Sequence, residues 1–207
     1  MKNVLMGILI YLCCTIDVQS STQAVTNEEI VISDHLSLKN YAEFAQLANA
    51  GRIKTVIFRD CLGGNVLAGI QYAKIIRSYR ISTVASGLVS SACAFAYLGG
   101  VNRKMDENAA WTTIMFHGGF DIKTLQSVGK VSNQIILDQI EQRLNFNFSS
   151  RVNQIILDTK KVEEGIYFFK NKNNITLVLY CDGDQAEDYT KCKKLEGITL
   201  ESEKVIN

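Results

Sequence analysis

The chain has 207 residues, 47% of them hydrophobic and 21% charged, with a net charge of +1. These values fit one globular domain, or one domain with a small appendage, able to bury a full core. The near-neutral charge gives no electrostatic reason to expect a nucleic-acid partner, and the absence of proline excludes polyproline linkers.

In chain order, Met1-Lys2-Asn3 is a short positive region, Val4 to Cys14 is apolar, and Val18-Gln19-Ser20 offers a small-residue cleavage site. That pattern predicts a secretory signal peptide over residues 1–20, too short to span a bilayer comfortably. Cys13 and Cys14 lack the small residue that a lipoprotein site would carry before the cysteine. No other stretch is long enough to cross a membrane. The expectation is a periplasmic or secreted protein with no stable membrane span after the signal is removed.

Residues 21–29 read as a polar lead-in and Ile30–Ile32 as a first strand, with His35 in the turn Ser33-Asp34-His35. Ser37 is placed to cap a helix through Ala50, with Tyr41, Phe44, Ala45 and Leu47 inward and Gly51 at the stop. Thr55–Phe58 is a β-branched and aromatic run fit for a buried strand. It runs into Asp60-Cys61-Leu62-Gly63-Gly64, after which Asn65 caps an amphipathic helix to about Tyr79. Ile81–Ala85 is the next strand, Gly87–Ser91 its turn, and Ala92–Leu98 a small-residue helix that must be internal because it has no charged face. A polar loop, Arg103–Asn108, leads to a third apolar strand, Ile114–Phe116, followed by His117-Gly118-Gly119. Strands alternating with helices imply a right-handed α/β layout.

After Phe120 the pattern predicts a helical hairpin: Thr124–Leu144, then Arg151 to about Leu157 capped by Ser149-Ser150. Ile166–Phe169 and Ile175–Cys181 around Asn171–Asn174 read as a β-hairpin. Lys191–Asn207 reads as a strand with an irregular tail. The expected organisation is a signal peptide (1–20), a main domain (21–165) and a C-terminal hairpin extension (166–207).

Each turn of the central window sets chemistry at a strand-to-helix junction. Gly63-Gly64 bares backbone N–H groups at a helix start, Ser91 offers a hydroxyl at the first turn of a buried helix, and His117 offers an imidazole. Oxyanion donors, a hydroxyl and an imidazole are the parts of an acyl-transfer site. No CxxC and no suitably spaced histidine pair is present, so no metal and no cofactor is expected. Four cysteines remain beyond the signal region, an even count that suggests disulfides in an exported chain. Cys181 and Cys192 bracket a polar loop that their pairing would close.

The segments DCLGGNVLAG, GLVSSACAF and IMFHGG resemble, in order and at nearly its spacing, the three active-site segments of the Clp-type (caseinolytic) serine protease subunit. That subunit belongs to the larger crotonase-like fold. The style is most similar to exported Clp-protease-like bacterial proteins, which also carry a cysteine just after the serine. The resemblance covers residues 30 to about 165. It implies repeated ββα units with a helical hairpin, Ser91 as nucleophile, His117 as base, and the N–H groups of Gly64 and Ala92 as the oxyanion hole. Ser90 is the competing nucleophile, but Ala94-Phe95 stand three residues after Ser91, as the family pattern wants.

Three departures stand out. Cys61-Leu62 replaces the usual Ser-Pro, Cys93 replaces a small residue, and the acid has no clear match. Asp158, after the helical hairpin, is the expected acid. Asp138 falls mid-helix, Asp121 is close to His117 in sequence, and Lys160 or Lys161 could serve a Ser-Lys dyad. In the resembled fold the two oxyanion donors converge, and Cys61 and Cys93 each neighbour one of them. The resemblance therefore implies a Cys61–Cys93 disulfide, with two buried thiols as the alternative. It also implies a serine peptidase acting on peptides or unfolded proteins, and a homo-oligomer. A non-catalytic binding or assembly module is the alternative; crotonase-type acyl-CoA chemistry is disfavoured in an exported chain.

Overall fold

A computed structural model describes residues 22–26, 28–121, 123–184 and 188–207. The expected signal peptide and its cysteines lie outside the described residues. The elements run β1 (Thr22–Thr26), β2 (Glu29–Leu36), α1 (Tyr41–Asn49), β3 (Thr55–Gly64), α2 (Val66–Ser78), β4 (Ser82–Ser90), α3 (Ser91–Tyr97), β5 (Arg103–Met105), β6 (Trp111–Phe116), α4 (Gly129–Leu144), α5 (Ser150–Asp158), β7 (Glu164–Asn171), β8 (Thr176–Asp182) and β9 (Lys193–Lys194).

These strands form one mixed sheet in the order β1-β2-β3-β4-β6-β7-β8-β9, with β5 paired to β4 beside it. Strands β2, β3, β4 and β6 are mutually parallel, as short βαβ crossovers require. The carboxyl half of β4 pairs with β6 and its amino half with β5, so β4 serves two neighbours. Strands β7, β8 and β9 continue the sheet antiparallel, and β7 pairs with β6 along the whole of β6. The hairpin around Asn171–Asn174 therefore extends the main sheet directly.

The core lies under the helices, where Phe58, Val56, Ile76, Ile114, Phe116, Phe168 and the apolar face of α3 are closed to solvent. A second cluster (Met115, Tyr167, Leu179 and Cys181) sits on the opposite face, with Phe169, Tyr189 and Cys192 packed against it. Alternation along β6 and β7 explains the split, since Phe116 and Phe168 face one side and Met115 and Tyr167 the other.

Some expectations change. Residues 22–26, read as lead-in, pair antiparallel with β2 as β1. Helix α1 starts at Tyr41 behind Asn40, while Ser37 accepts Lys39 N–H at 3.4 Å instead of capping the helix. Helix α4 begins at Gly129 rather than Thr124. Asp121 Oδ1 accepts the N–H groups of Lys123 and Thr124 at 2.9 and 2.8 Å, and Leu125 takes φ +54°, a local turn that outcompetes the helix. Leu137, Ile140 and Leu144 of α4 are buried, whereas Val131 and Ile135 are 78% and 57% exposed. The tail after β9 is irregular but docked, with Leu195, Leu200 and Val205 buried.

Both cysteine pairs among the described residues are at bonding distance: Cys61–Cys93 with Cα atoms 5.9 Å apart, and Cys181–Cys192 at 4.7 Å. Two such bonds fit a non-cytoplasmic, oxidising location. Among the described residues no helix is long and apolar enough to cross a membrane.

Candidate active site

Parallel strands send their carboxyl ends to one edge of the sheet, where α/β folds gather ligands. Here β2 ends at Leu36, β3 at Gly64, β4 at Ser90 and β6 at Phe116, and Leu36 pairs with Gly64 while Ser90 pairs with Met115. Ser91 and His117 thus follow the ends of two adjacent strands, with Gly63-Gly64 on the next strand over.

Ser91 turns β4 into α3 at φ +54°, a left-handed conformation that costs a non-glycine residue energy and that clusters at functional sites. Ser90 before it is extended, the last residue of β4 and the cap of α3. Gly63 is the counterpart across the edge. It adopts φ +113°, and a Cβ built on it would lie 2.7 Å from Ser91 Cβ and 3.2 Å from Ser91 Oγ. Only a glycine lets β3 pass this close to the serine side chain. The Cys61–Cys93 bond ties the same two segments, and Gly63 N–H donates to Cys93 Sγ at 3.3 Å. Gly64 ends β3, and Ala92 lies in the first turn of α3, where an amide has no intrahelical acceptor.

His117 is 7% exposed, with its ring 5.2 Å from that of Phe120. Burial pushes its pKa down to about 4, opposed weakly by the Gly118 backbone, so the ring is neutral at pH 7. Its Nδ1 is buried and has no hydrogen-bond partner among the described residues.

The carboxylates expected near it are engaged elsewhere. Asp158 is 52% exposed at the end of α5, where Gln154 and then Lys130, at 3.0 Å, hold its carboxyl below the usual carboxylate range. Asp138 takes Gln134 Nε2 at 2.8 Å, and Asp121 takes the turn amides described above. Lys161 pairs with Asp184, and Lys160 N–H donates to Glu164 at 2.7 Å. The structure brings Gly63, Gly64, Ser91, Ala92 and His117 to one edge, and turns the Asp158 carboxylate toward Lys130 and Gln154. Three contributors escaped the sequence reading: Gly63 as the residue against the serine, and Asn133 and Thr159, which hold the chain just after His117. The one signal for Asn133 was a polar residue on the stripe of Leu137, Ile140 and Leu144.

No protein-family model matches the chain, and no curated protein matches it. Similar solved structures include a ClpP1 variant from Listeria monocytogenes, 16% identical, over 72% of this chain and 85% of that one, with a TM-score of 0.46. The ClpP protease catalytic domain from Plasmodium falciparum is 17% identical over 71% and 78%, again with a TM-score of 0.46. A variant of a membrane-bound stomatin-specific protease is 15% identical over 65% and 70%, with a TM-score of 0.41. Likenesses this distant do not assign the chain to a family or to an activity.

Proposed function

We propose that the chain is an exported serine peptidase in which Ser91 attacks a peptide carbonyl, neutral His117 accepts the hydroxyl proton, and the N–H groups of Gly64 and Ala92 receive the oxyanion. The observation that carries this reading is Ser91 itself. It is held left-handed at a strand-to-helix turn, with its side chain against a glycine that nothing larger could replace. The proton moves from Ser91 Oγ to His117 and then to the leaving amine, and water repeats the sequence on the acyl-enzyme. Asp158 accepts from Lys130 and Gln154 and not from His117 Nδ1. No step calls for a cofactor or metal, and the substrate class is a peptide or unfolded protein.

Export through the N-terminal signal, to the periplasm or the outside, fits the two disulfides. The exposed apolar residues Val128, at the cap of α4, and Val131 and Ile135 on it support a homo-oligomer. Hydrolysis of fluorogenic and unfolded-protein substrates by the purified mature protein tests the activity. Ser91→Ala is expected to abolish turnover and Ser90→Ala to retain it. The reading fails if Ser91→Ala turns over like the wild type.

A further inference from the structure

The two amides that follow His117 are each held by a buried side chain from the helical layer. Asn133, in the second turn of α4, is closed to solvent. Its Oδ1 accepts Gly119 N–H at 2.8 Å, and its Nδ2 donates to the carbonyls of Ile156 and Leu157 at 3.3 and 3.4 Å. Thr159, just past α5 and 2% exposed, accepts Gly118 N–H at 3.2 Å and donates its hydroxyl to Ile155 O at 3.0 Å. The Thr159 carbonyl in turn accepts Ser127 Oγ at 2.9 Å. A Cβ built on Gly118 would lie 2.3 Å from Asn133 Nδ2, so the amide rests directly on the main chain.

A carboxylate on Nδ1 usually fixes the orientation and tautomer of a catalytic imidazole. Among the described residues no carboxylate holds His117 in this way. Besides the aspartates already placed, Glu164, the acid on neighbouring β7, receives Tyr180 OH at 2.8 Å and Lys160 N–H at 2.7 Å.

We infer that Asn133 and Thr159 are the positioning residues of His117, fixing the imidazole through the main chain that follows it rather than through an acid on its ring. The inference rests on the reading of His117 as the base. The residue types match the task. Asn133 must accept from Gly119 and donate to α5 at once, which aspartate and leucine cannot do. Thr159 must accept and donate through one hydroxyl, which serine can do and valine cannot. Because the clamp joins β6 to both α4 and α5, the position of the base depends on how the helical hairpin sits on the sheet.

The test is the rate at which a fluorophosphonate labels Ser91, resolved into its saturating rate and its half-saturating concentration. Asn133→Asp and Thr159→Val are expected to lower the saturating rate about tenfold or more, because misplacing a catalytic group by a fraction of an ångström costs rate rather than binding. The half-saturating concentration should not move. Thr159→Ser should recover the wild-type rate to within about twofold, and Asp158→Asn should label like the wild type. Folded Asn133→Asp and Thr159→Val labelling at the wild-type rate would overturn the inference, as would loss of labelling in Asp158→Asn. If the wild type takes no label, the peptidase reading fails and the inference is judged by the His117 ring NMR signals. Broadened or displaced signals in folded Asn133→Asp sustain the clamp, and unchanged signals end it.

Discussion

Two polar regions of this molecule are built on opposite plans. At the carboxyl edge of β3, β4 and β6, Gly63, Ser91 and His117 lie at or just past strand ends, and His117 Nδ1 has no partner among the described residues. At the other end of α3 lies a clasp between residues about a hundred positions apart. Tyr97 OH donates to Val205 O at 3.1 Å, and Arg103 donates to Lys204 O at 3.1 and 2.9 Å and to Gly100 O at 2.6 Å. Arg103 is 5% exposed and also takes Asn207 Oδ1 on its backbone N–H at 2.7 Å. The clasp spends its hydrogen bonds inside the fold, whereas the edge leaves one buried ring nitrogen open. A buried polar group is costly unless it is satisfied. Arg77 Nε, Thr112 Oγ1 and Thr113 Oγ1 are also buried without a partner among the described residues, and His117 Nδ1 is the one that belongs to a group of the proposed chemistry.

The contrast is sharpest in the disulfides. Cys61–Cys93 closes a separation of 32 residues beside Ser91, and Cys181–Cys192 closes 11 residues under the second cluster. On the chain-entropy model the first stabilises by about 4 kcal/mol and the second by about 3 kcal/mol. Denaturant unfolding of Cys61→Ala/Cys93→Ala and Cys181→Ala/Cys192→Ala should give losses of that order. Only the first pair of substitutions should also slow labelling of Ser91; equal slowing by both would erase the distinction between the regions.

Next in size is Arg103→Met, which strands the Lys204 and Gly100 carbonyls and should cost about 3 kcal/mol. Its labelling rate should stay within about twofold of the wild type, because the clasp shares no atom with the site.

A similar magnitude, at the site itself, comes from pH. An unfolded histidine titrates near 6.5 and folded His117 near 4. Between those values the unfolded chain binds more protons, so stability falls as pH falls across that window, by about 3 kcal/mol from this residue. His117→Gln should flatten that part of the profile in urea titrations at pH 7 and 4.5, and an unchanged slope would show that the ring is not buried neutral. Smallest is Tyr97→Phe, which removes one hydrogen bond to Val205 O and should cost about 1 kcal/mol with no effect on labelling.

The edge was legible in the sequence because its signals are local. Asn65 caps α2 by accepting Ala68 N–H at 3.0 Å, as its position before an apolar stripe predicts. The apolar starts of β3, β4 and β6 and the hairpin at Asn171–Asn174 follow from residue type within a few positions. But β3 runs on to Gly64 and β4 to Ser90 through stretches whose glycines read as turns, because pairing with neighbouring strands holds them extended. The clasp was not legible, because nothing near Val205 announces Tyr97, and the tail's burial depends on a partner far along the chain. Asn133 hid for a different reason. A polar residue on an apolar stripe shows only that something must satisfy it, and Gly119 and α5 are brought to it by the tertiary fold. Lys130, in the same way, meets Asp158 only when α4 packs on α5, so the sequence could mark the carboxylate but not its partner.

The most direct test of the central claim is a fluorophosphonate reaction of the purified, disulfide-bonded protein, with the adduct mapped by peptide mass spectrometry. The account predicts one phosphonyl group on Ser91, none in Ser91→Ala, full labelling in Ser90→Ala, and labelling slowed by at least about a hundredfold in His117→Ala. An adduct on Ser90, or equal uptake by wild type and Ser91→Ala, would contradict it.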